Sequence, residues 1–415
     1  MKEYIPFSIL DYTGKMRREI HMFFLPFLAH GHLIPVVDMA KMFASRGRSK
    51  ESGIHIGVEL LNFPAVDVGL PEGCENVDLI PTSQDGNLEM ITNFLQAALM
   101  LQQPFEKLLQ GRKPDCLVAD TFFHWATDAA NKFRIPRLVF HGISYFSFCA
   151  SECMSLYKPY KKFSPIPNLL CFYELEATYA DYYRNVLGKK SWHVGPVSLC
   201  SGKNIDKFER GNKSAIDEQE CLEWLESKEP NSVLYICFGS RTNFTSSQLK
   251  EIAMALEASE LQFIWVVRKQ KNNEEEDDWL PEGFEKRMEG KGLIIRGWAP
   301  QVLILDHEAV GGFVTHCGWN STLEGVCAGV PMVTWPAFAE QFYNEKLLTL
   351  SLKYWSSCGE SIEKAVKEMM KGDKAEEMRN KAKALAEAAK KAVEKGGSSY
   401  SDLDALIEEI SLHSH

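Results

Sequence analysis

The sequence predicts an α/β protein of two domains, each a parallel sheet covered by helices on both faces. Three observations predict it. The chain has 415 residues, a length that ordinarily divides between two cores. Short apolar runs alternate with stretches of helical spacing in two separate regions. A polar segment with neither period, residues 201–220, lies between them. The expected domains are 1–200 and 231–395, joined by a linker at 201–230, with a last helix at 396–415 packing back towards the first domain.

In the first region HMFFLPF (21–27) reads as a buried strand and LAHGH as a turn. Residues 33–47 follow as a helix, with Val37, Ala40, Met42 and Phe43 at helical spacing and Gly47 as its C-cap. IHIGVELLNF (54–63) reads as a strand, DCLVAD (115–120) as a strand ending in an acid, WATDAANKF as a helix and PRLVFHG as the next strand. In the second region VLYICFGS (233–240), QFIWVVR (262–268), GLIIRGW (292–298), GGFVTHC (311–317) and VPMVTWP (330–336) read as strands. SSQLKEIAMALEAS (246–259) and NSTLEGVCAG (320–329) read as helices between them, and surface helices close the chain. Sheets of this kind collect ligands at the carboxyl ends of their strands. KNNEEEDD (271–278) reads as a solvated loop.

A formal net charge of -10 argues against nucleic acid as a partner. A local phosphate site at a helix N-terminus remains compatible with it. The 11 cysteines are irregularly spaced, and Cys116, Cys149, Cys237 and Cys317 sit in apolar runs. That suits reduced, buried thiols better than a disulfide framework. Cys149 and Cys153 find no second pair to complete a zinc site. The first fifteen residues lack the apolar core of a signal peptide, and no apolar stretch reaches the roughly 18 residues of a spanning helix. A cytoplasmic monomer without a transmembrane segment is expected.

Residues 298–341 carry the chemistry. A strand delivers His316 at its carboxyl end, and Gly318 permits a tight turn and close approach of a ligand. Asn320 and Ser321 then open a helix whose free amides and positive dipole end suit a phosphate. Glu324 lies one turn on, placed to accept hydrogens from ribose hydroxyls. Trp298 follows another strand and can stack on a base. Read alone, the same residues also describe an ordinary capped strand–turn–helix. Neither G-x-G-x-x-G after a strand nor G-x-x-x-x-G-K-[ST] occurs, which excludes the common dinucleotide and P-loop signatures.

From Trp298 to Gln341 the segment resembles the signature box of plant family 1 UDP-glycosyltransferases. The resemblance extends to AHGHLIPVVDMAK, LPEGCEN, PDCLVADTFFHWATDAA, WHVGPVSLC and WLPEGFE, and is closest to the branch acting on flavonoids, triterpenes and similar metabolites. It implies the GT-B fold, two Rossmann-like doubly wound domains facing a cleft. The implied reaction is inverting transfer of glucose from UDP-glucose, the co-substrate, to a hydroxyl of a small acceptor, with no metal or other cofactor. Trp298 then stacks the uracil, with Gln301 beside it. Glu324 holds the ribose, and His316, Asn320, Ser321 and Ser240 hold the diphosphate. Trp319, Glu340 and Gln341 meet the sugar. On the acceptor side the resemblance makes His32 the general base and Asp120 the carboxylate behind its ring. A His30–His32 metal pair lacks a third ligand.

The chain departs from the family pattern in four places. Fifteen residues precede Met16, and the chain passes from Gly47 almost directly to 54, where the family has a further strand and helix. Residues 164–183 join pieces that the family separates, and after Leu350 a Gly/Val-rich strand is missing. These gaps leave one alternative: a UDP-sugar-binding protein without transferase activity.

Overall fold

The computed structural model describes residues 9–10, 16–17, 20–46, 56–80, 87–157, 171–200, 204–268, 280–351, 355–357 and 362–413. Ahead of the first sheet β1 (Ile9–Leu10) and β2 (Met16–Arg17) form a short antiparallel pair. The first sheet holds β3 (Met22–Leu25), β4 (Cys116–Asp120) and β5 (Arg137–Phe140), all parallel and in chain order. β4, between the other two, is buried at every position, as its unbroken apolar run requires.

The second sheet is parallel throughout. It comprises β6 (Val233–Cys237), β7 (Gln262–Val267), β8 (Gly292–Arg296), β9 (Val310–Thr315), β10 (Met332–Thr334) and β11 (Trp355–Ser357), in the order β11-β10-β9-β6-β7-β8. From β6 the chain winds outwards to β8, then crosses to β9 and winds the other way. The reversal lies between β6 and β9, whose ends are level: Cys237 pairs with Thr315. A crevice opens outside the carboxyl ends of two strands that diverge in this way, so the loops after Cys237 and Thr315 border it.

Several expected elements change on folding. The helix expected at 33–47 runs His30–Ser45, so LAHGH is not a free turn: His30, Gly31 and His32 form the helix's first turn. Gly47 lies outside the described residues, as do 164–170 and the acidic run 271–278. The strand expected at 54–63 does not form over 56–63, where Ile56, Val58 and Leu60 are 43%, 76% and 91% exposed. An apolar run becomes a buried parallel strand only when both its faces are covered. The strand thought missing after Leu350 is replaced at the sheet edge by β11, which pairs with β10 from Met332↔Trp355 to Thr334↔Ser357. The helix expected at 246–259 forms at Ser246–Ser259, capped by Thr245 in a reciprocal capping box with Gln248.

The stretch read as a linker is largely structured. It contains the helices Asn204–Phe208 and Glu218–Glu226, with Cys221 and Leu225 fully buried. One apolar cluster runs through both halves, joining Phe43 and Tyr145 to Phe313, Trp319, Leu403 and Ile410. The final helix, Ser398–His413, reaches the first half through Asp402, which accepts from Arg184 at 2.8 Å and from the His193 amide at 2.7 Å. No helix among the described residues is long and apolar enough to cross a membrane.

Candidate active site

His32 stands in the first turn of the helix His30–Ser45, directly after β3. Asp120 is the last residue of β4 and fully buried. Adjacent parallel strands bring the two together: His32 Nδ1 lies 2.7 Å from Asp120 Oδ2. Asp120 Oδ1 accepts the Phe122 amide at 3.0 Å, which fixes the carboxylate plane. An ionised carboxylate only accepts, so Nδ1 carries the hydrogen and Nε2 is left as the basic nitrogen. Phe27, Phe122 and Phe140 surround the imidazole. His141, next after β5, is buried, and burial pushes its pKa down to about 4.

Across the cleft, the loops after β6 and β9 lie side by side. The His316 ring sits between Gly239 and Gly318; a Cβ at either would fall 2.5 or 2.6 Å from Nε2. Gly239 also has φ +73°, so glycine is required there twice over. Burial pushes His316 down to about 4, which makes it a neutral hydrogen-bonding group rather than a cation. Its Nδ1 is buried without a hydrogen-bond partner. The helix Trp319–Ala328 begins at once, with Gly318 as N-cap and Trp319, Asn320 and Ser321 as its first turn. The amides of that turn have no acceptor within the helix.

Gln301, Ser321 and Glu324 form one network: Gln301 Nε2 donates to Glu324 Oε2 at 2.6 Å and to Ser321 Oγ at 3.0 Å. Trp298 stands behind it, with Gly211 packed close to its indole. Asn320 Nδ2 donates across the cleft to the Gly31 carbonyl at 2.6 Å. Ser240 donates to Asp78 of the first half at 3.2 Å. Gln341 turns its amide oxygen into its own loop, accepting from the Ala337 and Phe338 amides at 2.9 and 3.0 Å. Burial raises the Glu340 carboxyl pKa, while the nearby His32 opposes the shift. Among the described residues no three His, Cys, Asp or Glu side chains gather as a metal site.

Two buried ionic groups escaped sequence reading. Arg210, in the supposed linker, bonds Asp38 at 2.7 Å and Glu324 at 2.6 Å. His30 bonds Asp78 at 2.5 Å, which holds His30 above the usual imidazole range. The available signal for the first was Asp38 itself, an acid inside the apolar run LIPVVDMAKMF. A charge on a buried helix face needs a buried partner.

Comparison with known proteins agrees with this architecture. Residues 211–383 match the family described as UDP-glucoronosyl and UDP-glucosyl transferase. The scopoletin glucosyltransferase of Nicotiana tabacum is 48% identical over 478 positions, covering 95% of this chain and 99% of that protein. The anthocyanin 3'-O-beta-glucosyltransferase of Gentiana triflora is 47% identical, covering 96% and 99%. The crystal structure of Glycyrrhiza uralensis UGT73P12 with glycyrrhetinic acid 3-O-monoglucuronide superposes with a TM-score of 0.82 at 36% identity, covering 95% of this chain and 96% of that one. The 478 aligned positions of the first comparison exceed the 415 residues of this chain by 63, so that relative carries segments with no counterpart here.

Proposed function

The chain belongs to the UDP-glucoronosyl and UDP-glucosyl transferase family, in its plant branch and with the GT-B fold, and from that premise we propose how its residues divide the reaction. The donor is UDP-glucose and the acceptor a hydroxyl of a small plant metabolite. Scopoletin and anthocyanin are named for two relatives and glycyrrhetinic acid 3-O-monoglucuronide is bound in a third, so a phenol or polycyclic alcohol is the class to expect. The relatives are named as transferases, which favours transfer over mere UDP-sugar binding.

His32 Nε2 takes the acceptor's proton as its oxygen attacks the anomeric carbon. Asp120 holds the ring in the matching tautomer and stabilises the imidazolium that forms. The bond from C1 to the diphosphate oxygen breaks on the opposite face, and its electron pair leaves with UDP, giving inversion. The first-turn amides of Trp319, Asn320 and Ser321 face the negative charge that develops, with His316 as a neutral donor and Ser240 opposite. Trp298 supports the uracil, Gln301 and Glu324 hold the ribose, and Trp319, Glu340 and Gln341 meet the glucose. No residue is assigned to a metal. The cytoplasm and a monomeric state complete the reading.

The observation that carries it is the 2.7 Å contact between His32 and a fully buried Asp120, set across the cleft from the free amides of the helix Trp319–Ala328. Incubating the protein with UDP-glucose and a panel of phenols and triterpene alcohols tests it by UDP release and β-glucoside formation. His32→Ala should abolish transfer and leave UDP affinity nearly unchanged. Equal loss of UDP binding would make His32 structural and overturn the assignment.

A further inference from the structure

Arg210 lies in the segment joining the two halves, and its guanidinium is clamped between a carboxylate from each. Nε donates to Asp38 Oδ2 at 2.7 Å, and one terminal nitrogen donates to Glu324 Oε1 at 2.6 Å. All three side chains are buried, with 9%, 2% and 5% of the surface of Arg210, Asp38 and Glu324 exposed. Asp38 belongs to the helix that begins with His30 and carries His32. Glu324 belongs to the helix that opens with Trp319.

Glu324 is held by one donor on each oxygen, Arg210 on Oε1 and Gln301 on Oε2. A carboxylate is otherwise free to turn about its last bond. Two fixed donors on opposite oxygens set its plane, and each oxygen keeps a second lone pair. Two adjacent ribose hydroxyls need such a fixed plane with one lone pair from each oxygen. Burial of the triad does not by itself explain its presence, because buried ion groups of this kind are often replaced by apolar side chains at no cost in stability. The planar fork of arginine spans two carboxylates at once; the single ammonium of lysine cannot hold both in fixed geometry.

We propose that Arg210 is a positioning residue of the donor site: it orients Glu324 towards the 2′ and 3′ hydroxyls of the UDP ribose and, through Asp38, ties that carboxylate to the helix bearing His32. The proposal rests on the reading of Glu324 as the ribose residue. Arg210 acts through Glu324 and makes no contact with the reacting atoms.

The test compares UDP with 2′-deoxy-UDP by calorimetric titration of the full chain, with a thermal melt of each protein. The unmodified protein should bind UDP about tenfold more tightly, the equivalent of one hydrogen bond to a charged group. In Arg210→Met that preference should fall to about twofold or less as Glu324 loses its orientation, while the melt stays cooperative. Arg210→Lys should recover only part of it. A merely structural arginine would weaken both ligands alike, so an unchanged preference in Arg210→Met overturns the proposal even if UDP binds less tightly. If Arg210→Met fails to fold, Arg210→Lys decides: a reduced preference upholds the proposal and an undiminished one overturns it. Absence of any preference in the unmodified protein removes Glu324 from the ribose, and this role of Arg210 falls with it.

Discussion

The side-chain amide of Asn320 bonds the backbone carbonyl of Gly31 across the cleft, at 2.6 Å. Gly31 lies between His30 and His32, and Asn320 is the second residue of the helix assigned to the diphosphate. The first turns of two helices, one from each half, are therefore held together where donor and acceptor must meet. Asn320→Ala breaks this tie. Transfer should fall roughly tenfold in kcat/KM, the effect of about one well-formed hydrogen bond. Steady-state kinetics on any accepted phenol reads the change, and an unaltered kcat/KM would show that the bond is dispensable to the alignment.

Asp120 offers a different separation. Its carboxylate accepts from His32 and from the Phe122 amide, and it lies wholly inside the protein. In Asp120→Asn the amide still fits but can present its NH2 group to Nδ1, which favours the wrong imidazole tautomer. The rate should drop by about 10²–10⁴, with UDP affinity within about twofold of the parent, since hydrogen bonds to UDP are untouched. A parallel collapse in UDP binding would place Asp120 in the framework of the first half rather than in the chemistry.

Gly211 sits where no side chain fits. Its φ is +96°, and a Cβ would lie 2.3 Å from the Trp298 ring and 3.0 Å from Ile34. A rigid indole cannot yield as a flexible side chain would. Gly211→Ala should destabilise the protein by about 1–3 kcal/mol, from backbone strain and the clash together. It should also shift the tryptophan fluorescence and weaken UDP binding as Trp298 is pushed aside. A parent-like melting temperature would mean that this segment does not pack on Trp298.

What the sequence shows of the fold follows from pattern and length. Strands β6 to β10 of the second sheet are apolar runs punctuated by glycine and are legible within a few residues of their ends, whereas the edge strand β11, Trp355–Ser357, has no such run and leaves no strand pattern. Strand pattern places His316 at the carboxyl end of its strand, while Ser240 opposite it follows from the family resemblance. Residues 56–63 have the composition of a strand, but composition does not report whether a covering layer exists, and here Leu60 stands 91% exposed. The amide oxygen of Gln341 satisfies the amides of its own loop. Local hydrogen bonding of that kind leaves no periodic trace. Arg210 was hidden because a cation in a polar stretch reads as solvated; only its two carboxylates, 172 and 114 residues away along the chain, reveal it.

Glu176 gives the protein a pH dependence whose sign can be worked out. Its carboxyl is 2% exposed and accepts the Phe146 and Tyr145 amides at 2.8 and 3.2 Å. Burial outweighs those bonds and raises its pKa from 4.5 to about 7. The unfolded chain releases this proton first, so between those values the folded protein holds more protons. Stability then falls as pH rises through that window, by up to about 1.4 kcal/mol per pH unit for one group. Glu176→Gln does not titrate; its single amide oxygen can serve only one of the two amides, which donate to different carboxylate oxygens, but that loss is the same at every pH. Relative to the parent it should gain about 2–3 kcal/mol between pH 4.5 and 7.5 in urea unfolding. The gain must come from a steeper decline of the parent, not from a steeper rise of the variant. Parallel stability curves for the two proteins would show that the Glu176 carboxyl ionises in the folded protein as readily as in the unfolded chain.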